Sequence, residues 1–323
     1  MKLTNKILIT FALTLLFVFS FDNKVQAQSL SLGIYPPLLE VTMKPGKSIT
    51  QVYKLYNNGD SDLIMTSFLA PFVPDGDQGY IEIRQDEKPQ SLDWISFQNA
   101  DLQLGQSFVL RQETSQEVVL KIKVPEFAQE EDHYFTLVFA NDPNYSGLVG
   151  GNQTQNQIQI GANIIISISE SGEPQYQAQI SEFKLANGFT NIFLDSFTKP
   201  EFILKVKNTG PSFFKPLGHI KVKNPLGGTS ILELLPENVL INSTRQISCQ
   251  INEEAAKCIL PSKFLLGYYQ VQAEFDLDKP GGKYQKEIFF LAFPWKITAI
   301  IIVITGIGLF IFKKTKMAID KDF

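Results

Sequence analysis

Histidine, cysteine and tryptophan are scarce in this chain, with two of each among 323 residues. An acyl-transfer centre needs a base beside its nucleophile, and only His133 and His219 are on offer. His219 falls on the polar side of a run in which Ile220 and Val222 alternate with Lys221 and Lys223, and His133 opens a run after the acidic loop Glu130-Glu131-Asp132. Both read as structural residues. Two cysteines supply too few ligands for a metal site when the histidines lie far away in sequence. No glycine-rich phosphate loop with a Lys-Ser or Lys-Thr ending is present, and no His-Glu-x-x-His helix. No spacing points to a lysine base or a carboxylate pair. These absences point to no cofactor, no metal and no enzyme. Neither charge sign is in excess, with 29 basic against 33 acidic residues, so an electrostatic grip on nucleic acid is not expected.

Long apolar runs occur only at the two ends. Near the start, Lys2 and Lys6 precede the run Ile7 to Phe19, and Val25-Gln26-Ala27 places small residues at −3 and −1 of a cleavage site. We read residues 1–27 as a secretory signal peptide and Gln28 as the mature N-terminus; the rival reading is an uncleaved anchor. Near the end, Ile297 to Phe312 is broken only by Thr298, Thr305 and small residues, and as a helix it would span about 24 Å. Phe293, Trp295 and Lys296 extend it on one side; Lys313, Lys314 and Lys316 follow on the other. Trp295 and Lys296 fit the outer interface, and the lysine cluster fits the cytoplasmic one. The pattern predicts a transmembrane helix over 293–313, a cytoplasmic tail over 314–323, and the bulk of the chain outside the cell membrane. A buried core helix is the competing reading. No Leu-Pro-x-Thr-Gly motif precedes the helix, so sortase anchoring is not expected.

The roughly 260 residues in between suffice for two ordinary domains. They show no long amphipathic helix. Their dominant signal is alternation with period two, the mark of half-buried strands. It runs through Ile49–Tyr56, Gln116–Val124, Gln157–Ser169, Phe202–Lys207, His219–Lys223 and Tyr269–Phe275, each bounded by Gly, Pro, Asn or Asp clusters. Many short strands with regular turns predict an all-β fold of immunoglobulin-like sandwiches. Within this region Tyr53-Lys54-Leu55-Tyr56-Asn57-Asn58-Gly59 echoes Leu204-Lys205-Val206-Lys207-Asn208-Thr209-Gly210. In both, an alternating strand ends in Asn-x-Gly, residues that accept left-handed backbone. His133-Tyr134-Phe135 and Gly267-Tyr268-Tyr269 then head later strands. The echo predicts two copies of one module, over 28–171 and 172–292, with a polar loop at 143–156 in the first.

Eight residues separate Cys249 from Cys258, a spacing that suits a disulfide across a hairpin, with buried reduced thiols as the alternative. Asp75-Gly76-Asp77 looks like the start of a calcium loop but lacks the later ligands, and reads as a turn. Asn144, Asn152 and Asn242 begin Asn-x-Ser/Thr triplets in turn-like segments.

The order of leader, two β-modules, terminal helix and basic tail resembles the WxL-interacting proteins of bacterial surfaces. Local likenesses are Lys44-Pro45-Gly46-Lys47-Ser48 before a strand ending at Asn57, Asn208-Thr209-Gly210-Pro211 before the strand Gly218 to Lys223, and Gly267-Tyr268-Tyr269. The resemblance implies a first module associated with peptidoglycan and a second with a protein partner or host ligand. No functional residue carries over from it. Binding-type architecture without a catalytic constellation predicts a membrane-anchored surface protein engaging a cell-wall polymer or another surface protein. The alternative is a membrane-tethered chaperone or accessory subunit for assembly of a surface complex.

Overall fold

The computed structural model describes residues 31–141, 157–188, 190, 192–251, 254–277 and 282–319. The expected leader, the 143–156 loop with Asn144 and Asn152, and the last four residues of the tail lie outside the described residues. Ten strands come first: β1 (Leu32–Tyr35), β2 (Leu38–Met43), β3 (Ser48–Asn57), β4 (Leu63–Asp75), β5 (Tyr80–Ile83), β6 (Ile95–Phe97), β7 (Ser107–Leu110), β8 (Thr114–Lys123), β9 (Asp132–Asn141) and β10 (Gln159–Ile168). They form one sheet in the order β1-β3-β8-β6 and another in the order β2-β10-β9-β4-β5, with β7 also on β4. Tyr53 and Leu55 of β3, with Val118, Leu120 and Ile122 of β8, point inward from the first sheet. Phe135, Leu137 and Phe139 of β9, with Ile164, Ile166 and Ile168 of β10, point inward from the second. Between them they close one core.

The second group repeats the plan. β11 (Ala178–Leu185), β12 (Phe193–Asp195), β13 (Glu201–Asn208), β14 (Leu217–Lys223), β15 (Thr229–Glu233), β16 (Thr244–Gln246), β17 (Cys249–Ile251), β18 (Glu254–Ala256), β19 (Cys258–Ile259), β20 (Gly267–Asp276) and β21 (Lys283–Phe293) follow in order. One sheet runs β11-β13-β16 with β19 on β13, the other runs β12-β21-β20-β14-β15, and β17 pairs with β18. A separate core gathers Leu204, Val206, Ile220, Val222, Val271, Phe275 and Phe290. The protein is all-β, two immunoglobulin-like sandwiches in tandem followed by one helix. In both modules the first stretch of chain serves both sheets: β1 joins one and β2 crosses to lie parallel to β10, as β11 joins one and β12 crosses to lie parallel to β21. The first crossing falls at Pro36-Pro37, residues without the N–H a continuous ladder needs.

The sequence echo has a physical cause different from the backbone argument that predicted it. Neither Gly59 nor Gly210 is among the glycines with positive φ. The asparagine side chain makes the turn instead. Asn57 donates to the carbonyls of Ser61 (2.8 Å) and Leu110 (3.2 Å) and accepts the Gly59 N–H (3.0 Å). Asn208 donates to Ser212 (2.9 Å) and Val239 (3.0 Å) and accepts the Gly210 N–H (2.9 Å). Both side chains are buried. Each therefore satisfies backbone groups that would otherwise be orphaned in a dry corner of its sandwich. Gly210 is needed for space: a Cβ there would stand 2.6 Å from the Gln177 nitrogen.

The cysteines are joined, with sulfurs 2.06 Å apart and Cα atoms 4.9 Å apart. Both are buried in the second core. The bond ties β17 to β19, and β19 in turn pairs with β13.

Two outcomes are expected in urea unfolding of the second module. Asn208→Ala strips both donors and the acceptor, and should cost about 2–4 kcal/mol; Asn208→Asp, which keeps only acceptors, should not restore stability. The joint change Cys249→Ala and Cys258→Ala frees a loop of sequence separation 9, and should cost about 2.7 kcal/mol by loop entropy.

Candidate functional site: the junction between the modules

The outer face of the β10-β9-β4-β5 sheet is not left wet. Phe72, Ile165 and Leu240 are buried together, with Ile81, Ile83, Tyr134 and Phe213 packed around them. Five of these seven come from the first module's sheet; Phe213 and Leu240 come from the second module. The second module thus closes a small apolar seam on the first.

A ring of polar contacts surrounds that seam. The Asp132 carboxylate accepts the Tyr134 hydroxyl (2.6 Å) and, across the junction, the Phe213 N–H (2.6 Å). The Tyr134 oxygen accepts the Ile241 N–H (3.2 Å). One Asp–Tyr pair therefore holds two separate points of the neighbouring module. On one flank, Glu40 of β2 accepts from Lys215 and Asn238. On the other, the β4–β5 hairpin reaches over the second module. The Asp77 carbonyl accepts the Gln246 N–H (2.7 Å), and its carboxylate pairs with Lys205 (2.8 Å), which also meets Glu182 (3.1 Å).

Arg245 forms the floor of this hairpin contact. It donates to the Asn238 carbonyl (2.8 Å) and to Glu237 Oε1 (2.8 Å), while Glu237 Oε2 accepts the Ser248 N–H (2.8 Å). Its guanidinium lies flat against Gly79, where a Cβ would come within 2.4 Å of Cζ. Gly79 also has φ +81°, so both space and backbone demand glycine. Beside it opens a cleft of about 230 Å³ lined by Leu38, Tyr80, Asn163, Asn238, Thr244 and Arg245 among others.

Burial pushes the Asp132 carboxyl up from its ordinary range, against the opposing pull of hydrogen bonds from Tyr134 and Phe213. Burial first, and then the neighbouring Asp132 charge, hold the Tyr134 phenol well above its usual range, so it stays a neutral donor. At the exposed hairpin the hydrogen bond from Lys205 lowers Asp77 and raises Lys205. The arrangement is built to fasten. Among the described residues no group of three or more His, Cys, Asp or Glu could hold a metal ion.

Of the site candidates singled out from sequence, the Asp75-Gly76-Asp77 turn reaches the junction and the others lie elsewhere. His133 stands edge-on to Trp94 with ring centroids 4.4 Å apart, and its pKa is lowered by burial. His219 lies opposite Glu233 and Glu274 on β14. Asp75-Gly76-Asp77 is the tip of the β4–β5 hairpin, with Gly76 at φ +62°. Trp295 and Lys296 open helix α1 (Trp295–Ile319), where the Lys296 ammonium lies 5.8 Å from the Trp295 ring centroid. Lys313 is exposed, and Lys314 and Lys316 follow within the same helix.

Two sandwiches fastened at a polar-rimmed apolar seam and continued by one apolar helix define the class of protein: a two-module immunoglobulin-like chain. No protein-family model matches it, and no curated protein matches it. Among solved structures the class 5 fimbriae chaperone CfaA is similar at 12% identity, with a TM-score of 0.39 over 82% of this chain and 100% of that one. The Escherichia coli chaperone DraB is similar at 14% identity, with a TM-score of 0.36 over 80% and 98%. A chaperone–tip adhesion subunit complex of the archaic Csu pili of Acinetobacter baumannii is similar at 12%, with a TM-score of 0.34 over 81% and 99%.

The raised Asp132 carboxyl has a consequence for stability. The folded chain holds that proton more tightly than the unfolded one, so folding is favoured at low pH and loses this contribution as pH climbs through the raised value. Thermal unfolding across that window should show stability declining with pH. Asp132→Asn, which keeps an acceptor for Tyr134 and Phe213, should flatten the slope.

Proposed function

We propose that the chain is a membrane-anchored surface protein that binds or scaffolds through its sheet edges. The observation that carries this reading is α1. Its segment Trp295–Lys313 has mean hydropathy 2.2, and none of it is buried against the rest of the protein. A largely apolar segment of nineteen residues with no protein cover needs an apolar solvent, and its length suits a bilayer. Lys296 at one end and Lys313, Lys314 and Lys316 at the other favour the modules on the outer side and the short tail inside.

For binding, the edge of β15 is the best candidate. Among the described residues β15 pairs with β14 alone, and Thr229, Ser230 and Ile231 are all exposed. The preceding turn displays Leu226 almost completely. Just past its end Leu234 bridges Cys249, so the backbone groups open on one side lie along Thr229–Ile231, the basis of recognition by added strands. The resemblance to WxL-interacting proteins supplies the candidate ligands: a cell-wall polymer such as peptidoglycan, or another surface protein. A second reading, a tethered chaperone or accessory subunit, is favoured by the same edge, since a partner's strand could pair there and later leave.

The test uses the full chain in phospholipid nanodiscs, presented to purified peptidoglycan and to surface-protein extract. The expected result is retention on one of them, reduced at least tenfold by Ile231→Lys, because a charge on an edge strand opposes pairing. Failure of the wild-type chain to be retained by either would overturn the binding reading.

A further inference from the structure

The outer face of the β12-β21-β20 sheet changes character with distance from α1. Near the helix, Phe193, Leu291 and Tyr268 stand opposite one another across three strands, and all three are exposed. Phe289 stacks on Tyr268 with centroids 5.7 Å apart. The next outward positions are polar: Glu287 accepts from Gln270 (3.2 Å) and Gln285 accepts from Gln272 (3.2 Å). Two loops at the apolar end add Phe197 and Phe264, exposed rings 5.3 Å apart, and the exposed Leu266. The Leu265 N–H donates to the Ser196 carbonyl (2.9 Å), which joins the two loops. Lys199, Lys263 and Lys296 stand exposed around this end.

This end is also the one fixed to the helix. Only Pro294 separates β21 from α1. The Lys296 N–H meets the carboxylate of buried Asp195, at the end of β12, at 3.4 Å. Phe293, Leu291 and Phe289 are the outward residues of the last stretch of β21 and cover about 14 Å of strand. The headgroup layer on one side of a bilayer is roughly 5–8 Å deep. A sheet leaning toward the membrane would lay the whole row within it.

We infer that this apolar end of the second module is seated in the headgroup layer of the bilayer that α1 crosses, its partner a lipid surface with anionic headgroups. The inference rests on the anchoring reading above. A bilayer is the occupant that explains why polarity follows distance from α1: water, headgroups and acyl chains are stacked in that same order. Aromatic side chains with lysines beside them are the residues that such an interface favours, and a basic rim attracts anionic lipid. A protein partner would give the gradient no reason to end where the helix begins.

Spin labels test this in the full chain, reconstituted into nanodiscs of phosphatidylcholine and phosphatidylglycerol. The native cysteines are bonded to each other, so Phe264→Cys, Tyr268→Cys, Gln285→Cys and Ile304→Cys can each be labelled singly. Collisions with oxygen report lipid, and collisions with a water-soluble nickel chelate report solvent. Labels at 264 and 268 are expected to favour oxygen over nickel, as the label at 304 does, while 285 favours nickel. Two exposed positions guard against one variant that misfolds. If 264 and 268 match 285 while 304 reports lipid, the seating is overturned and the anchor stands. If 304 also reports water, both readings fall. If 264 and 268 are shielded from both reagents and show dipolar coupling between labels, a second copy covers the face and the lipid assignment is overturned.

Discussion

A β-sheet that is apolar on both faces cannot stop at one sandwich. The β10-β9-β4-β5 sheet buries Phe135, Leu137 and Ile164 on one side and Phe72, Tyr134 and Ile165 on the other. Water is excluded from the second side only because Phe213 and Leu240 arrive from the next module. The remainder of the junction follows from that demand. Polar groups trapped at the margin of a dry seam need partners. Asp132, Tyr134, Glu40 and Asp77 supply them to backbone and side-chain donors of the other half. The cleft beside Arg245 is what remains where hairpin and module meet without filling the space.

Each module solves its internal problem in the same way. A strand that leaves the core at Asn57 or Asn208 would abandon carbonyls inside the sandwich. One buried amide returns two N–H donors to them and folds its own chain back with the third contact. The shared crossing of the first strand between sheets sits on the same chassis. Repetition of Asn-x-Gly is thus repetition of a hydrogen-bonding job.

The strands were legible because one wet face and one dry face force alternation. Val118, Leu120, Ile122 and Val124 are written in the sequence as they lie in the core. The disulfide was suggested by spacing, with reduced thiols as the alternative, and the structure shows the bond. The junction was not, since it depends on which outer face meets which module. Its trace is a break in alternation: Tyr134-Phe135 and Ile164-Ile165-Ile166 are apolar at consecutive positions, as strands covered on both sides must be. Arg245 and Gly79 lie far apart in sequence, and nothing local marks either as the other's neighbour. The aromatic rim near α1 was equally hidden, because exposed Phe193, Phe264 and Tyr268 gather only through strand register and loop pairing.

The joint at Pro294 has a mechanical meaning. A long polar stalk would let a surface module sweep a hemisphere and sample ligands at many heights. Here a single proline, with the Lys296 amide beside Asp195, replaces the stalk. The first sandwich is bolted to the second by the Asp132–Tyr134 clamp. Under the anchoring and binding proposed above, such a joint would make the molecule a bracket of fixed reach, and a ligand would have to be delivered to that altitude above the lipid instead of being fished for.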